Sequence, residues 1–417
     1  MESLYIEGGS PLNGECEITT AKNAMLPILA GSLLCSDDLL IENCAYYSDV
    51  EYMLKILISL GVEVKKEGKN ICINPVCADK YFIDEQYTKK IRSSIFMLGP
   101  LLAKFKRAKV SYPGGCNIGL RPIDLHLKGL KDLNVTIAER HGFIYCDGGN
   151  MRAGDVHLDF PSVGATENII MASIFLKGKT TIYNAAKEPE IVDLSNFLIS
   201  MGAKIYGAGT SDIIIEGVER LHSTKYRPIS DRIIAGTYMI ACVMTGGKIL
   251  LKNVISEHNM SLINKLKHSG VRIGGKGTSL LLKSSSKPRS IASIETMPYP
   301  GFPTDLQSQI LTLQTISKGT SVISENLFET RYKICTELIK MGADITLKDK
   351  TAIVKGVPKL YGASVTAGDL RGGAGLVLAG LAAEGYSTIH DIYHIDRGYY
   401  KIEEDLSALG ASVVRKN

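Results

Sequence analysis

Two kinds of helical segment alternate along the chain, and each kind recurs six times. One kind is apolar on nearly every face, which is typical of a buried helix rather than of one with a surface stripe. It occurs in AKNAMLPILAGSLL, RSSIFMLGPLLAKF, VGATENIIMASIFL, DRIIAGTYMIACVM, TDLQSQILTLQTIS and DLRGGAGLVLAGLA. The other kind is amphipathic and precedes a short strand. The pattern therefore predicts six buried helices and six helices at the surface.

The amphipathic segments end at residues that set a regular spacing. These residues are Gly61, Asn134, Gly202, Gly270, Gly342 and Gly410, separated by 68 to 73 residues. Glycine or asparagine just past a helix is typical of the left-handed residue that closes the last turn. One such match is common by chance, but six at a near-constant period indicate a repeated structural unit.

A strand precedes the loop before each amphipathic helix, in DLLIEN, AKVSYPG, KTTIYN, GKILLKN, TSVISEN and YSTIHD. Each unit thus combines strands with one buried and one amphipathic helix. A chain of 417 residues favours two domains. We expect one domain of three repeats at 21–229, and a second at 1–20 plus 230–417, because the strand Leu4–Ile6 can complete the last unit. The buried helices would start at one end of each domain, where their N-termini favour anions.

Composition excludes several classes of function. Lys+Arg exceed Asp+Glu by 48 − 43 = 5, with no basic run that interleaves aromatics, so we expect no nucleic-acid partner. The N-terminus lacks the pattern of a signal peptide, and the apolar runs are about half a membrane span, so we expect no membrane insertion. The nine cysteines form no CxxC pair, and the eight histidines show no metal-ligand spacing. These features predict a cytoplasmic protein without a metal.

The segment YPGGCNIGLRP, residues 112–122, is the most distinctive loop of the chain. Its glycines and prolines exclude regular structure and place Cys116 where solvent can reach it. Arg121 nearby would lower the pKa of the thiol and make it a nucleophile or an acid. An inert cysteine is the alternative interpretation.

Charged residues cluster at equivalent places in different repeats. Arginine suits phosphate and carboxylate, and lysine adds a point charge. The candidates are Lys22, Arg92, Arg121, Arg331, Arg371 and Arg397. Each alone could be a solvated surface charge. Asp305 and Asp369 lie at the starts of buried helices, where each is either an N-terminal cap or a general base. His126 and His394 fit structural roles.

Seven motifs together resemble the UDP-N-acetylglucosamine 1-carboxyvinyltransferase family of enolpyruvyl transferases. They are AKNAMLPILA, PGGCNIGLRPIDLH, SVGAT, KEPEIVD, FPTDLQ, DLRGG and YHIDRGY, and they span essentially the whole chain. The resemblance implies an α/β (α+β) fold of six βαβαββ-type units in two domains, with buried helices inside and sheets outside, as an inside-out α/β barrel. It also implies transfer of enolpyruvyl from phosphoenolpyruvate to UDP-N-acetylglucosamine, in the first committed step of peptidoglycan synthesis.

The resemblance assigns a role to each matching residue. Cys116 would protonate the methylene carbon of phosphoenolpyruvate and react with fosfomycin, and Asp305 would be the base for the sugar 3-hydroxyl. Lys22, Arg121 and Arg397 would hold the phosphate, while Arg331 and Arg371 would lie on the carboxylate side. Asp369 would also bind substrate. The contacts to the nucleotide sugar would be Asn23, Arg92, Arg121, Pro122, Ile123, Asp124, Leu125, Ser162, Val163, Gly164 and Leu327. No cofactor is implied, and the partners would be the two substrates.

Two positions depart from the family pattern. Phe160 stands where some members have a lysine that contacts the nucleotide, and Ile234 stands where many have glutamate. Two other interpretations compete. The shikimate-pathway enolpyruvyl transferases resemble this chain in their repeats but lack the PGGC loop. A silent relative that only senses UDP-sugar would be expected to lose Cys116, Asp305 or Arg397, and all three are present.

Overall fold

The computed structural model describes residues 2–114, 123–284, 287–328 and 330–416, which form two compact units. The Lys22 unit comprises residues 20–114 and 123–229. The Asp305 unit comprises residues 2–19 and 230–416, apart from the gaps in the described ranges. No helix in the described ranges is long and apolar enough to cross a membrane.

The helices of the Lys22 unit are α1 (Lys22–Ser32), α2 (Ser48–Ser59), α3 (Glu85–Thr88), α4 (Leu98–Phe105), α5 (Asp124–Asp132), α6 (Val163–Ser173) and α7 (Pro189–Ser200). Those of the Asp305 unit are α8 (Arg232–Thr245), α9 (Met260–His268), α10 (Gln307–Thr315), α11 (Ile334–Lys340), α12 (Leu370–Ala382) and α13 (Ile402–Ala408). Short 3-10 helices occur at Arg92–Met97, Ser256–Asn259, Thr304–Leu306, Arg331–Lys333 and Ile392–Arg397.

The apolar segments form the interior of each unit. Every residue of α10 is buried, and in α8 and α12 all but the last one are buried too. These three helices pack against one another in the Asp305 unit, as α4 packs against α6 in the Lys22 unit. The surface helices α2 and α9 bury one side each, which is apolar apart from Asp49 in the first turn of α2. Burial therefore follows the two hydrophobic patterns that the sequence displays.

The strands of the Lys22 unit are β3 (Leu39–Ile41), β4 (Glu63–Glu67), β5 (Asn70–Asn74), β6 (Arg107–Ser111), β7 (Thr136–Arg140), β8 (Phe143–Asp147), β9 (Asp155–His157), β10 (Lys179–Tyr183), β11 (Lys204–Tyr206), β12 (Asp212–Glu216) and β13 (Lys225–Tyr226). Those of the Asp305 unit are β1 (Ser3–Glu7), β2 (Leu12–Glu17), β14 (Gly247–Lys252), β15 (Arg272–Lys276), β16 (Ser279–Ser284), β17 (Ser293–Glu295), β18 (Thr320–Ser324), β19 (Asp344–Lys348), β20 (Thr351–Lys355), β21 (Ser364–Thr366), β22 (Tyr386–His390) and β23 (Ser412–Lys416).

The strands form small open sheets with a common order. The Lys22 unit contains β13-β3-β5-β4, β6-β8-β7 and β11-β12-β10-β9, and the Asp305 unit contains β15-β16-β14-β2, β17-β18-β20-β19 and β21-β22-β1-β23. Each four-stranded sheet has one parallel edge pair and two antiparallel pairs. In the three-stranded sheet a single parallel bridge, Phe82 to Lys109, stands in the place of that edge strand.

The N-terminal strand joins a sheet made from the end of the chain. In that sheet β1 lies between β22 and β23, antiparallel to both, with Leu4 opposite Ile389 and Arg415. Within the described residues the strands form no closed barrel, because every sheet has two open edges. The prediction of a mixed α/β protein with buried helices is confirmed.

The predicted helix-ending residues all adopt the left-handed conformation. Their φ angles are 95° at Gly61, 64° at Asn134, 106° at Gly202, 97° at Gly270, 94° at Gly342 and 88° at Gly410. One detail differs from the predicted pattern, since two buried segments begin with a 3-10 turn, at Arg92 and Thr304. In the first of these the Asn168 side chain replaces a helical hydrogen bond, because its Oδ1 accepts the N–H of Gly99 at 2.8 Å and its Nδ2 donates to the carbonyl of Ile95 at 2.9 Å.

Candidate active site

Asp305 lies between two buried arginines, in the 3-10 turn Thr304–Leu306 that precedes α10. Its Oδ1 accepts hydrogen bonds from Arg371 Nε at 2.9 Å and from Arg331 Nη2 at 3.3 Å. The arginines are 4% and 2% exposed, whereas the Asp305 side chain is 27% exposed. The carboxylate is therefore the member of this cluster that a molecule in solvent reaches first.

The arginines determine the charge of Asp305. Burial alone would raise the pKa of this carboxyl group, but the charges of Arg371, Arg331 and Arg232 hold it well below its ordinary value of 3.8. Asp305 is therefore an anion at neutral pH, and it holds a proton only weakly. Asp305 and the two arginines that donate to it together carry one net positive charge, which suits an anionic ligand.

A hydrogen-bonded network supports Arg371 from behind. Its guanidinium carbon lies 5.9 Å from the centre of the buried Tyr399 ring. The Tyr399 hydroxyl lies 2.8 Å from Thr237 Oγ1 and accepts a hydrogen bond from Gln309 Nε2 at 3.1 Å. Thr237 belongs to α8 and Gln309 to α10, so two buried helices hold the tyrosine ring that lies beside Arg371 in the first turn of α12.

Two aspartates cap buried helices in this unit. Asp369 Oδ1 accepts the N–H groups of Arg371 at 2.9 Å and Gly372 at 3.0 Å, and Asp231 Oδ1 accepts those of Ile233 and Ile234. The first N–H groups of a helix have no partner within it, so these carboxylates complete the helix start. Capping, one of the two roles predicted for Asp369, is thus what its Oδ1 performs. Its buried Oδ2 has no hydrogen-bond partner.

Two further predicted residues lie in other segments of the Asp305 unit. Arg397 ends the 3-10 helix Ile392–Arg397 and is half-buried. Burial and the charge of Arg397 lower the pKa of His394, while Asp369 and Asp391 oppose the shift. Leu327 follows β18, and its N–H donates to Glu325 Oε1 at 2.8 Å.

In the Lys22 unit the predicted lysine begins α1. Its Nζ lies 3.1 Å from Oδ2 of Asp49, which belongs to the first turn of α2, and both side chains are largely buried. Asn23 follows on α1 and is half-buried. The pair ties the starts of a buried and a surface helix together, and it leaves Lys22 only partly exposed.

The starts of the other buried segments in this unit hold the remaining predicted contacts. Arg92 begins a 3-10 helix, and Ser162 caps α6 by accepting the N–H of Ala165 at 3.4 Å. Val163 and Gly164 begin α6 and are half-buried. A Cβ atom at Gly164 would lie 2.9 Å from ring atoms of both His126 and Phe96, so only glycine fits there.

The loop with the predicted cysteine lies outside the described residues, together with Arg121 and Pro122. After this gap Ile123 is buried, Asp124 is exposed at the start of α5, and Leu125 is half-buried. Of the other cysteines, Cys77 is exposed, Cys72 is half-buried and six are buried. Burial raises the pKa of five of those six thiols to about 11 or 12, at Cys16, Cys44, Cys146, Cys242 and Cys335. These thiols are poor nucleophiles.

Sequence reasoning missed a buried carboxylate on α6. Glu167 has no accessible surface, and neither of its oxygens has a hydrogen-bond partner. Burial, together with the charges of Glu190 and Glu188 at the start of α7, raises its pKa well above the ordinary 4.5. The available signal was a lone glutamate in the otherwise uncharged segment VGATENIIMASIFL. Two further residues were missed. Tyr399 ends the motif YHIDRGY, in which Arg397 was the residue singled out, and Glu325 stands in none of the seven motifs.

The two departures from the family pattern lie in different environments. Phe160 is exposed just before α6, whereas Ile234 is buried in the first turn of α8. Relative to the family pattern, the chain therefore lacks a positive charge at the exposed position of Phe160 and a negative charge at the buried position of Ile234. No group of three or more His, Cys, Asp or Glu residues in the described ranges could hold a metal ion.

The chain matches the family described as EPSP synthase (3-phosphoshikimate 1-carboxyvinyltransferase) over residues 6–406. It is 48% identical over 415 residues to UDP-N-acetylglucosamine 1-carboxyvinyltransferase 2 of Caldanaerobacter subterraneus subsp. tengcongensis, with 100% of both chains covered. It is 46% identical over 421 residues to UDP-N-acetylglucosamine 1-carboxyvinyltransferase 1 of Clostridium perfringens, again with 100% of both chains covered.

Two solved structures share the fold. The enolpyruvyl transferase NikO from Streptomyces tendae matches with a TM-score of 0.89 at 22% identity, covering 100% of this chain and 99% of that one. EPSP synthase from Acinetobacter baumannii matches with a TM-score of 0.77 at 16% identity and covers 100% of both chains. At these identities the likeness concerns the fold alone.

Proposed function

Because this chain belongs to the enolpyruvyl transferase family, among the UDP-N-acetylglucosamine 1-carboxyvinyltransferases, we propose that it acts on the two substrates of that reaction. It transfers the enolpyruvyl group of phosphoenolpyruvate to the 3-hydroxyl of UDP-N-acetylglucosamine and releases phosphate. The product is the first committed intermediate of peptidoglycan synthesis. The observation that carries the proposal is 48% identity over the full length of a relative with this name.

The reaction proceeds by addition and elimination. In the addition step C3 of phosphoenolpyruvate gains a proton, and the sugar oxygen attacks C2 while its own proton goes to a base. In the elimination step C3 loses a proton, and the C2–O bond to phosphate breaks with its electron pair leaving on the phosphate. Both steps need an acid and a base, and both need cations that hold phosphate and carboxylate throughout. Chemistry of this kind requires no cofactor.

The chain contains a candidate for each of these roles. Cys116 is the proposed acid for C3, and Lys22, Arg121 and Arg397 are the proposed phosphate ligands. Arg331 and Arg371 are the proposed carboxylate-side arginines, and Asp369 is a further proposed substrate-binding residue. The proposed nucleotide-sugar contacts are Asn23, Arg92, Arg121, Pro122, Ile123, Asp124, Leu125, Ser162, Val163, Gly164 and Leu327. Arg331 and Arg371 support the proposal because both are buried with their guanidinium groups on one carboxylate.

Asp305 is the proposed base, and its electrostatics limit what it does. Its depressed pKa keeps it ionised and ready to accept a proton, but the same arginines make the protonated form unfavourable. Asp305 therefore acts best as a transient acceptor that passes the proton on. An anionic substrate that draws Arg331 or Arg371 away would raise the pKa of Asp305 and strengthen it as a base.

We also propose the six-unit organisation with domains at 21–229 and at 1–20 plus 230–417, in the form of an inside-out α/β barrel. The two compact units support this proposal, as do the common strand order and the left-handed residues at regular spacing. The cytoplasm is the proposed location, and the two substrates are the proposed partners.

A phosphate-release assay tests the function. The chain is mixed with phosphoenolpyruvate and, in separate reactions, with UDP-N-acetylglucosamine or shikimate 3-phosphate. Phosphate release with the UDP-sugar alone supports the proposal. Release with shikimate 3-phosphate would favour the rival enzyme, and binding of UDP-sugar without release would favour a sensor.

Cysteine labelling tests the proposed acid. Brief alkylation should label Cys116, and bound UDP-sugar should change the rate of that labelling. Mass spectrometry measures the labelled fraction. Exposed Cys77 serves as the internal control, since its labelling should not respond to the sugar. Cys116→Ala should lose turnover and keep its fold, whereas Cys116→Asp should retain some turnover and resist fosfomycin, because a carboxylic acid donates a proton but attacks an epoxide poorly. Full activity in Cys116→Ala would remove this residue from the mechanism.

A further inference from the structure

Glu325 is a buried carboxylate that follows β18 and accepts four hydrogen bonds. Its Oε1 accepts the N–H groups of Leu327 at 2.8 Å and Phe328 at 3.0 Å, and the hydroxyl of Thr296 at 3.0 Å. Its Oε2 accepts the Thr304 hydroxyl at 2.9 Å. A carboxylate has enough lone pairs to satisfy all four donors at once.

One of these hydrogen bonds leads to Asp305. Thr304 and Asp305 are neighbours in the same 3-10 turn, Thr304–Leu306. The bond from the Thr304 hydroxyl to Glu325 Oε2 fastens that turn to the end of β18. The orientation from which the Asp305 side chain projects is therefore fixed by Glu325.

The other oxygen leads to Arg331. Phe328 donates its N–H to Glu325 Oε1, and its carbonyl accepts the N–H of Arg331 at 3.3 Å. The Phe328 ring also lies 5.3 Å from the guanidinium carbon of Arg331. Glu325 thus holds Phe328, which contacts Arg331 twice. Its carbonyl accepts the backbone N–H of Arg331, and its ring packs near the guanidinium group.

We infer that Glu325 is a positioning residue that holds Asp305 and Arg331 at the separation their shared chemistry needs. The Glu325 carboxylate binds both segments that carry this ion pair. Its Oε2 accepts a hydrogen bond from the Asp305 turn, and its Oε1 accepts one from the segment before Arg331. Glu325 acts through these neighbours and does not itself bind substrate. The inference rests on the proposed function, in which Asp305 and Arg331 face the reacting groups.

The two oxygens predict separable effects. Thr304→Val removes the link to Asp305 and leaves the Leu327–Phe328 turn in place. Its kcat should fall about tenfold, the equivalent of one hydrogen bond to a charged group, with an unchanged KM for UDP-N-acetylglucosamine. Glu325→Ala releases both segments, and a displacement of about 1 Å at reacting groups lowers kcat roughly 100-fold. Its KM for the UDP-sugar should rise as well, because Leu327 is a proposed sugar contact.

Two further variants separate positioning from general damage. Glu325→Gln keeps an oxygen for the two backbone N–H groups, so its kcat should lie between those of the native chain and Glu325→Ala. Ser324→Ala is the matched control at the same strand end, since it removes only the hydroxyl contact with Thr351 at 3.2 Å. Its kcat and KM should equal those of the native chain.

The experiment is steady-state phosphate release by the full chain and its four variants, with thermal unfolding measured alongside. Absence of turnover in the native chain would overturn the proposed function. A native chain that turns over while Thr304→Val and Glu325→Ala stay within twofold of its kcat would overturn the role of Glu325. If Glu325→Ala does not fold, Thr304→Val decides alone, and a rise in its KM with unchanged kcat would also overturn the inference.

Discussion

Asp305 and Glu167 are carboxylates near the starts of buried helices, one in each unit, and their surroundings shift their pKa values in opposite directions. Asp305 accepts hydrogen bonds from two buried arginines, which hold its pKa below the ordinary range. Glu167 has no partner on either oxygen and faces the charges of Glu190 and Glu188, so its pKa is raised. The same functional group thus has a lowered pKa in one unit and a raised pKa in the other.

The difference shows that burial alone does not decide the charge of a carboxylate. Desolvation raises the pKa in both cases, and only the neighbouring arginines reverse that shift at Asp305. The starts of the buried helical segments also carry different residue types in the two units. Three aspartates stand at those of the Asp305 unit, whereas Lys22, Arg92 and Ser162 stand at those of the Lys22 unit.

The largest effect is expected for Asp305→Ala. Two buried arginines would lose their common anion, so the free energy of unfolding should fall by about 3 kcal/mol, and phosphate release should cease. Urea unfolding measures the first effect. Asp396→Ala is the matched control, because this aspartate is similarly exposed (29%) and also pairs with an arginine, Arg415. Arg415 is 23% exposed and retains Glu403 and Glu2, so the control should lose well under half as much stability. Equal losses of unfolding free energy in Asp305→Ala and Asp396→Ala would refute the idea that burial of the arginines determines the size of the loss.

A second experiment compares one arginine from each unit. Arg397→Ala should raise the KM for phosphoenolpyruvate roughly ten- to 100-fold, which corresponds to about 1.5–3 kcal/mol for a charge-assisted contact to phosphate. Its affinity for UDP-N-acetylglucosamine should change little. Arg92→Ala should show the opposite selectivity, since Arg92 is a proposed sugar contact. Steady-state kinetics with each substrate varied in turn would measure both effects. An equal loss of affinity for both substrates in Arg397→Ala would contradict the role of Arg397 as a phosphate ligand.

The third prediction concerns pH. Because the pKa of Glu167 is raised in the folded state, the folded chain binds this proton more tightly than the unfolded chain does. Its contribution to stability is complete below pH 4.5 and is lost as the pH rises toward the raised value, by at most about 1.4 kcal/mol per pH unit. Glu167→Gln stays neutral, so its stability relative to the native chain should increase between pH 5 and pH 8.

Denaturant unfolding at several pH values measures this difference. Glu63→Gln, at an exposed position on β4, is the control and should show no comparable trend. A constant difference between Glu167→Gln and the native chain across the range would show that Glu167 is ionised in the fold.

The smallest effect concerns the helix caps. Asp369 accepts two backbone N–H groups at 2.9 and 3.0 Å, whereas Ser162 accepts one at 3.4 Å. Asp369→Ala should therefore lower the free energy of unfolding by about 1–2 kcal/mol, and Ser162→Ala by about 0.5 kcal/mol. Thermal unfolding of both variants gives the comparison, and a larger loss for Ser162→Ala would reverse it.

The elements of the fold follow closely from the sequence. Apolar segments such as DLRGGAGLVLAGLA form buried helices because their residues are apolar on nearly every side, which leaves no polar face to turn toward water. Gly342 and its equivalents ended their helices because a left-handed residue is needed there. The 3-10 turn before α4 departs from the pattern, because the side chain of Asn168 bonds both the N–H of Gly99 and the carbonyl of Ile95. Periodicity does not represent such a contact between distant segments.

The candidate site followed less fully, because motifs identify residues and not their partners. The sequence singled out Asp305, Arg331 and Arg371, but their convergence on one oxygen depends on three chain segments packed together. Glu325 and Glu167 escaped notice, since an isolated glutamate has the same letter whether it is solvated, fully hydrogen-bonded or without a partner. Local periodicity and backbone sterics, both legible in the amino-acid order, therefore identify which helices are buried and where they end. The charge and the orientation of each carboxylate arise from tertiary contacts, because desolvation, pairing and hydrogen bonding depend on neighbours that are distant along the chain.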